Sequence, residues 1–417
     1  MRLTAITILL LTLTSPSLAE DWPRWRGPRG DGTWKAPAIP ERWPDDGPAK
    51  KWSAPIGGGY SGVTVSEGRV YTMDRLAPPR HEKEVERIHC LDAATGAALW
   101  THAYEAPYGD LTYNTGPRAD VTIYDGRAYS FGAVGHAFCL DAKSGKVLWS
   151  KDTVKDHKAQ RPYWGFAASP VIHGDLVLIH AGVPKGSIVA YDRKTGEEKW
   201  RGGDDPAGYC TPIIIESGTA KKTTQLICWT PESILGMSPA TGEVYWRHPY
   251  KILYGVSIHT PIFNDGTLFI SSYWHGPRAF ALGDDPRDVK LIWEHEKVLC
   301  GLMSQPLYRD GHCYFLDKDN GLTCFELKTG RKRWDDRHEI TPRGRNPHAT
   351  LVWLGDSDRA IILNSKGELI LARLTPKGYE EHARTKIIGE TWAHPAYAGR
   401  FVYARDDREM VCVEIAR

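Results

Sequence analysis

The residues of this chain that could carry chemistry are its cysteines, three spaced histidines and one acidic turn. Eight cysteines are present. None stands in a C-x-x-C pair and no His/Cys spacing matches a zinc site, so a structural zinc is not expected. In an oxidising compartment eight thiols could make four disulfides. Cys210 with Cys228, and Cys313 with Cys324, fall at spacings that suit neighbouring strands, and either pair could be oxidised or reduced. His259, His348 and His394 occupy nearly one position of a recurring unit, so a fold that gathers that position would offer three imidazoles to a metal. Asp317-Lys-Asp319-Asn320-Gly321 sets two carboxylates and an amide at alternating positions, as calcium loops do. The closing glutamate of such a loop is missing and Asn-Gly is a strong hairpin signal, so a turn is the expected reading. No G-x-x-x-x-G-K-[ST], G-x-S-x-G or H-E-x-x-H occurs.

What would position these residues is a repeat. Asp92-Ala-Ala-Thr-Gly96-Ala-Ala-Leu-Trp100 returns as Asp141…Gly145…Trp149 and Asp192…Gly196…Trp200, then as Ser238…Gly242…Trp246 and Glu326…Gly330…Trp334. An Asp, Ser or Glu can hydrogen-bond the backbone of a tight turn, and Gly supplies its positive φ. The Trp opens the next strand with a large flat surface. Two residues before the turn lies a column of small side chains: Cys90, Cys139, Ala190, Gly236, Ala281, Cys324, Ala372 and Cys412, recurring on average every 46 or so residues. The column explains Cys90, Cys139, Cys324 and Cys412 as buried packing thiols. Upstream of each member stand further short β-rich runs, such as Gly68-Arg-Val-Tyr71 and Gly126-Arg-Ala-Tyr129. Four short strands per unit of 40–50 residues is the signature of a propeller blade.

The chain therefore reads as all-β: an eight-bladed β-propeller of four-stranded antiparallel blades over residues 50–417. The blade tryptophans are Trp52, Trp100, Trp149, Trp200, Trp246, Trp293 and Trp334. The last unit stops after three strands, and Lys50-Lys-Trp52 supplies the fourth, closing the ring from the N-terminal side. Unit seven carries His382 where its tryptophan would stand, and if that unit is irregular the ring has seven blades instead of eight.

These D-x-x-T-G-x-x-x-W repeats resemble the PQQ-type, or quinoprotein, β-propeller family over about residues 50–417. That family includes quinoprotein alcohol dehydrogenases and the non-enzymatic propeller of the outer-membrane assembly machine. The resemblance implies that the repeat Trp docks between blades. For the enzymes it implies a vicinal Cys-Cys pair, acidic and amide calcium ligands and, in some, a haem motif C-x-x-C-H. This chain has no Cys-Cys pair and no haem motif. No cofactor is therefore expected, with PQQ and calcium as the alternative.

In a propeller, ligands sit at one end of the central channel, by analogy of fold. Residues just before each first strand are Tyr60, Arg118 with Asp120, Phe166, Tyr209, His259, Ser304, His348, and Trp392 with His394. Adjacent loops add Tyr113, Tyr163, Trp164, Tyr254, Trp274, His275, Arg343 and Arg345. Ten of these form the expected ligand-binding mouth: Tyr60, Arg118, Asp120, Trp164, Tyr209, His259, Trp274, His348, Trp392 and His394. Aromatics stack on flat or sugar-like groups, and Arg suits carboxylate or phosphate.

Residues 1–19 read as a secretory signal, with Arg2, an apolar run and a Ser17-Leu18-Ala19 cleavage site. Residues 20–49, rich in Pro, should be an extended arm. Charge is balanced, with 53 basic against 51 acidic residues, which argues against nucleic-acid binding. The expectation is a periplasmic or secreted, monomeric propeller without an integral membrane segment after signal cleavage. Its expected role is to bind or scaffold an envelope protein or a polysaccharide-like ligand without catalysis. The alternative is a divergent PQQ-dependent alcohol or sugar dehydrogenase.

Overall fold

The computed structural model describes residues 20–44, 46–301, 303 and 305–416. The expected signal segment lies outside them. Among the described residues the strands form eight antiparallel sheets arranged as a ring, the eight-bladed propeller expected. Blade one runs through Thr64–Ser66, Arg69–Leu76, Val85–Asp92 and Ala98–Glu105. Blade eight is completed by Ala49–Pro55, which pairs antiparallel with Glu409–Glu414. The ring is thus closed by strands from distant parts of the chain.

The D-x-x-T-G turn carries out two tasks at once. Its acidic residue accepts backbone hydrogens, as Asp92 Oδ1 does from Ala94 N and Thr95 N. Its glycine adopts φ near +72° and lies flat under the tryptophan of the preceding blade. A Cβ at Gly96 would come within 2.6 Å of the Trp52 ring, and one at Gly145 within 2.6 Å of the Trp100 ring. Most indoles then find a carbonyl on that neighbour: Trp52 Nε1 donates to Ala93 O (2.9 Å), Trp100 to Ala142 O (3.1 Å) and Trp149 to Arg193 O (3.2 Å), whereas Trp246 Nε1 donates to Gln225 Oε1 of its own blade and Trp200 Nε1 has no partner. The second-strand tyrosines Tyr71, Tyr129 and Tyr403 donate to the same three carbonyls. Blade-to-blade packing is therefore apolar stacking, with a polar lock at most of the tryptophan-bearing blades.

Across the sheet each tryptophan faces its small column residue, as Cys90 faces Trp100 and Cys412 faces Trp52. Two members of the expected column are corrected. In blade five Trp293 faces Ala279, not Ala281, because the turn there is longer. In blade seven a bulge sets Leu371 opposite Ala383, so neither Ala372 nor His382 holds the position assigned to it. The large residue has moved to the third strand and the small one to the fourth, which conserves volume.

The loss of tryptophan from blade seven follows from ring closure. A blade's tryptophan docks on the turn between the third and fourth strands of the next blade. Blade eight has no such turn, because its third and fourth strands are residues 409–414 and 49–55. Residues of the arm lie there instead, with Gly47 against Thr385 of blade seven.

All eight cysteines are buried free thiols. Cys313 faces Phe325 while Cys324 faces Tyr314, so the two point to opposite sides of the sheet and cannot bridge. Cys210 Sγ donates to Trp229 O, and Cys228 Sγ contacts His180 Nε2. Burial pushes Cys90, Cys139, Cys324 and Cys412 up to about 12, out of the reactive range. The Asp317 stretch is a turn: Asp317 Oδ1 accepts from Asp319 N, Asn320 N and Asn320 Nδ2.

The arm is not extended throughout. Residues 24–32 form consecutive turns across the axis of the ring. Trp22 bridges to Val65 of blade one, and Ile123 N of blade two donates to Pro23 O. Arg26 Nη2 donates to Pro306 O of blade six, and Thr33–Trp34 adds a short parallel strand to the inner edge of blade seven. This segment plugs one end of the channel.

Candidate functional site

The inner strands begin around the axis, where side chains knit the blades together. Gly62 N donates to Asp120 Oδ1 (2.7 Å), Asp120 N to Ser169 Oγ (2.9 Å) and Ser169 N to Thr211 Oγ1 (3.0 Å). Thr260 N donates to Gln305 Oε1 (3.1 Å). Next to this belt opens a cavity of about 790 Å³, within the usual size range of small-molecule sites.

Eight of the ten expected mouth residues line it: Tyr60, Arg118, Trp164, Tyr209, Trp274, His348, Trp392 and His394. Tyr113, Tyr163, Tyr254 and Arg345 from the adjacent loops line it too. Asp120 and His259 do not. Asp120 is consumed by the axial belt, and burial raises its carboxyl to about 7. His259 turns between blades, edge-on to Phe269 and Phe315, and burial lowers it to about 3. Phe166 packs on Phe131 in the core, and Ser304 lies outside the described residues. The expected trio of imidazoles is therefore a pair, His348 and His394, with ring centroids 5.4 Å apart.

The walls are aromatic. Tyr60 and Tyr113 flank Trp392 at 5.7 and 5.8 Å. Trp164 sits between Tyr163 and Tyr209, and Trp274 between Tyr254 and Tyr273. Five large aromatics are exposed on the described chain, namely Tyr113, Tyr124, Tyr163, Tyr254 and Trp274, and all but Tyr124 line this one cavity. Such clustering marks an interaction site more than scattered exposure does. Trp25 of the arm also lines the cavity, its ring tilted 55° to that of His394 with centroids 4.3 Å apart, and its Nε1 3.3 Å from Thr260 Oγ1.

Arg118 is the fixed charge of the site. Its loop packs on the Gly57-Gly58-Gly59 connector, where a Cβ at Gly58 would strike Thr115, and Tyr60 N and Ser61 N both donate to Pro117 O. The guanidinium donates to the carbonyls of Gly116, Thr112 and Tyr113 and lies 5.4 Å from the Tyr60 ring centre. Burial lowers its pKa, though not enough to discharge an arginine. His348 is buried against the main chain of Met303 and Trp392, and burial lowers it to about 4, so it is neutral at pH 7. The buried Thr112 hydroxyl has no partner.

Sequence reasoning missed Trp25, Thr112, Tyr273, Met303, Gln305 and Asn346. For Trp25 a signal existed, since Asp-Trp-Pro-Arg-Trp-Arg-Gly puts two tryptophans in a segment that has no blade to belong to.

A ring of eight four-stranded blades locked by tryptophan on a D-x-x-T-G turn defines a PQQ-type propeller. The family model described as outer membrane protein assembly factor BamB matches residues 84–334 and 230–417, and the chain belongs to that family. It is 30% identical over 307 residues to quinohemoprotein alcohol dehydrogenase ADH IIB of Pseudomonas putida, covering 61% of this chain and 40% of that one. It is 22% identical over 316 residues to outer membrane protein assembly factor BamB of Moranella endobia, covering 69% and 71%. The chain thus spans less than half of the dehydrogenase. Among solved structures it is similar to BamB from Moraxella catarrhalis (TM-score 0.61, 15% identity, 88% of this chain and 99% of that one). It is also similar to quinohemoprotein alcohol dehydrogenase from Comamonas testosteroni (TM-score 0.66, 14% identity, 95% and 80%).

Both branches of the family share this scaffold, so the site must be tested against the quinone cofactor directly. No carboxylate occurs among the described lining residues. Calcium takes hard oxygen ligands, normally with anionic charge. The donor set of aromatics, imidazoles and arginines does not fit a calcium-held quinone. No helix among the described residues is long and apolar enough to cross a membrane.

Proposed function

We propose that this protein is an exported binding propeller of the cell envelope, non-catalytic, whose mouth takes a polysaccharide-like ligand. The observation that carries the reading is the aromatic cup: three tryptophan–tyrosine groups around one cavity, floored by Trp25. Indole and phenol rings offer large contact area with little entropy to lose and keep a polar edge for hydroxyls. Arg118, Arg345 and Asn346 on the lining supply the polar contacts that such a ligand needs. Its family tie to an assembly factor favours an envelope setting and a role in holding rather than transforming.

The test is calorimetric titration with envelope oligosaccharides. Binding of one series, weakened tenfold or more by Trp164→Ala with Trp274→Ala, is the expected result. Absence of saccharide binding together with capture of a defined envelope protein would replace this reading by a protein scaffold. A second reading, a divergent quinone-dependent oxidoreductase, is favoured by the dehydrogenase relative. Stoichiometric uptake of PQQ with calcium, followed by dye-linked alcohol oxidation, would establish it instead.

A further inference from the structure

Resting on the saccharide reading, we infer that the ligand carries an acid group, the carboxylate of a uronate-type sugar, seated against Arg118.

The cavity is electrostatically one-sided. Two arginines, Arg118 and Arg345, line it, and no Asp or Glu among the described residues does so. The nearest buried acid, Glu86, is already occupied, accepting from Tyr104 and Tyr108 hydroxyls (2.5 Å each) and from Ala133 N. Arg118 has only carbonyl partners: Gly116, Thr112 and Tyr113. Carbonyls orient a guanidinium but do not neutralise it, and Glu86, whose charge favours that of Arg118, makes no hydrogen bond to it, so a charge sheltered from water is only partly offset and costly to keep. A bound anion removes that cost.

The stereochemistry fits a carboxylate on a ring. A guanidinium has five N–H groups; one Nη1–H and both Nη2–H are spent on the carbonyls, which leaves Nε–H and one Nη1–H on different edges, so a carboxylate takes a single charge-assisted hydrogen bond. That arrangement is preorganised, because the three carbonyls hold the plane of the group before the ligand arrives. Tyr60 lies beneath the guanidinium, and Trp392 stacks beside Tyr60 at 5.7 Å, so a sugar ring on Trp392 would bring an attached carboxylate to Arg118. Balanced overall charge makes this local excess a property of the site and not of the whole surface.

The experiment uses matched pairs on the intact protein. Oligogalacturonate is titrated against its carboxyl-reduced counterpart, and muramic-acid oligosaccharide against the N-acetylglucosamine oligomer, at low salt and at about 0.15 M, where screening is strong. The acidic member of at least one pair should bind about tenfold tighter, on the scale of one charge-assisted hydrogen bond. That preference should shrink with salt, fall to nothing in Arg118→Gln, and be partly kept in Arg118→Lys. The readout in both variants is the ratio of acidic to neutral affinity, not either affinity alone. Equal affinity within both pairs, or an acid preference that survives Arg118→Gln, overturns the inference while leaving saccharide binding intact. A stronger preference for a sugar phosphate than for either carboxylate overturns the uronate assignment. Binding by no member of either pair overturns the saccharide reading itself. The salt dependence of the unmodified protein gives a readout that does not depend on a variant folding.

Discussion

At the outer turns the indole N–H of Trp52, Trp100, Trp149, Trp293 and Trp334 each reaches a carbonyl of the following blade. Towards the axis unpaired groups gather: both nitrogens of His259 and the hydroxyl of Thr112 have no partner. One repeat built both regions. Where every copy does much the same thing, the residues converge on Asp, Thr, Gly and Trp and five of the seven indoles find a carbonyl, while Trp246 turns to Gln225 of its own blade and Trp200 has no partner. Where each blade contributes a different loop, polar groups stay unpaired and the energy forgone is left for a ligand.

The largest effect should come from the outer ring. Trp149→Ala should lower stability by about 3–5 kcal/mol, the usual cost of emptying a large buried aromatic site, read as the denaturant midpoint. An effect below about 1 kcal/mol would mean that the lock is ornamental. Gly242→Ala should cost about 2–4 kcal/mol, since a side chain meets both φ +75° and the Trp200 ring. Thermal unfolding would show this as a fall in Tm with unchanged strand content.

Acid should act on the axial region first. His259 is held neutral, so between about pH 3 and 6.5 the folded protein binds fewer protons than the unfolded chain, and stability falls as pH drops through that window. His259→Phe, between Phe269 and Phe315, should remove about 2 kcal/mol of the loss between pH 7 and pH 5. Parallel stability curves for the two proteins would refute it. Ala383→Trp restores the repeat's residue in blade seven, yet should destabilise by about 1–2 kcal/mol, because no turn of blade eight receives the ring. A rise in Tm would break the account of ring closure. Smallest of all, Trp274→Ala should shift stability by no more than about 0.5 kcal/mol, being exposed, while weakening the ligand.

The same contrast explains what the sequence disclosed. Fold, blade number and the closing strand were legible because Gly96, Gly145, Gly196, Gly242 and Gly330 recur for one steric reason. The column failed at blades five and seven, where a longer turn and a moved bulge shift the register without changing composition. The site was legible in part. Strand starts pointed to Tyr60, Arg118 and Trp392, but whether a side chain faces the mouth depends on neighbours that no periodicity encodes. Asp120 was drawn off by Gly62, and His259 by two phenylalanines. Trp25 comes from outside the repeat altogether.

Ring closure also bears on the order of events in time. Lys51 and Glu414 meet at 3.2 Å although 363 positions separate them. The entropy of closing so long a loop grows only slowly with its length, but contacts of such high order are slow to form. A chain that emerges from its N-terminal end must hold Ala49–Pro55 unpaired until the last strand is delivered, with two bare sheet edges exposed meanwhile. The arm answers part of this hazard, because Trp22 and Pro23 engage blades one and two, which are made early. It can hold the waiting strand near its place, so that the final step is the zipping of one short hairpin-like ladder, not a search.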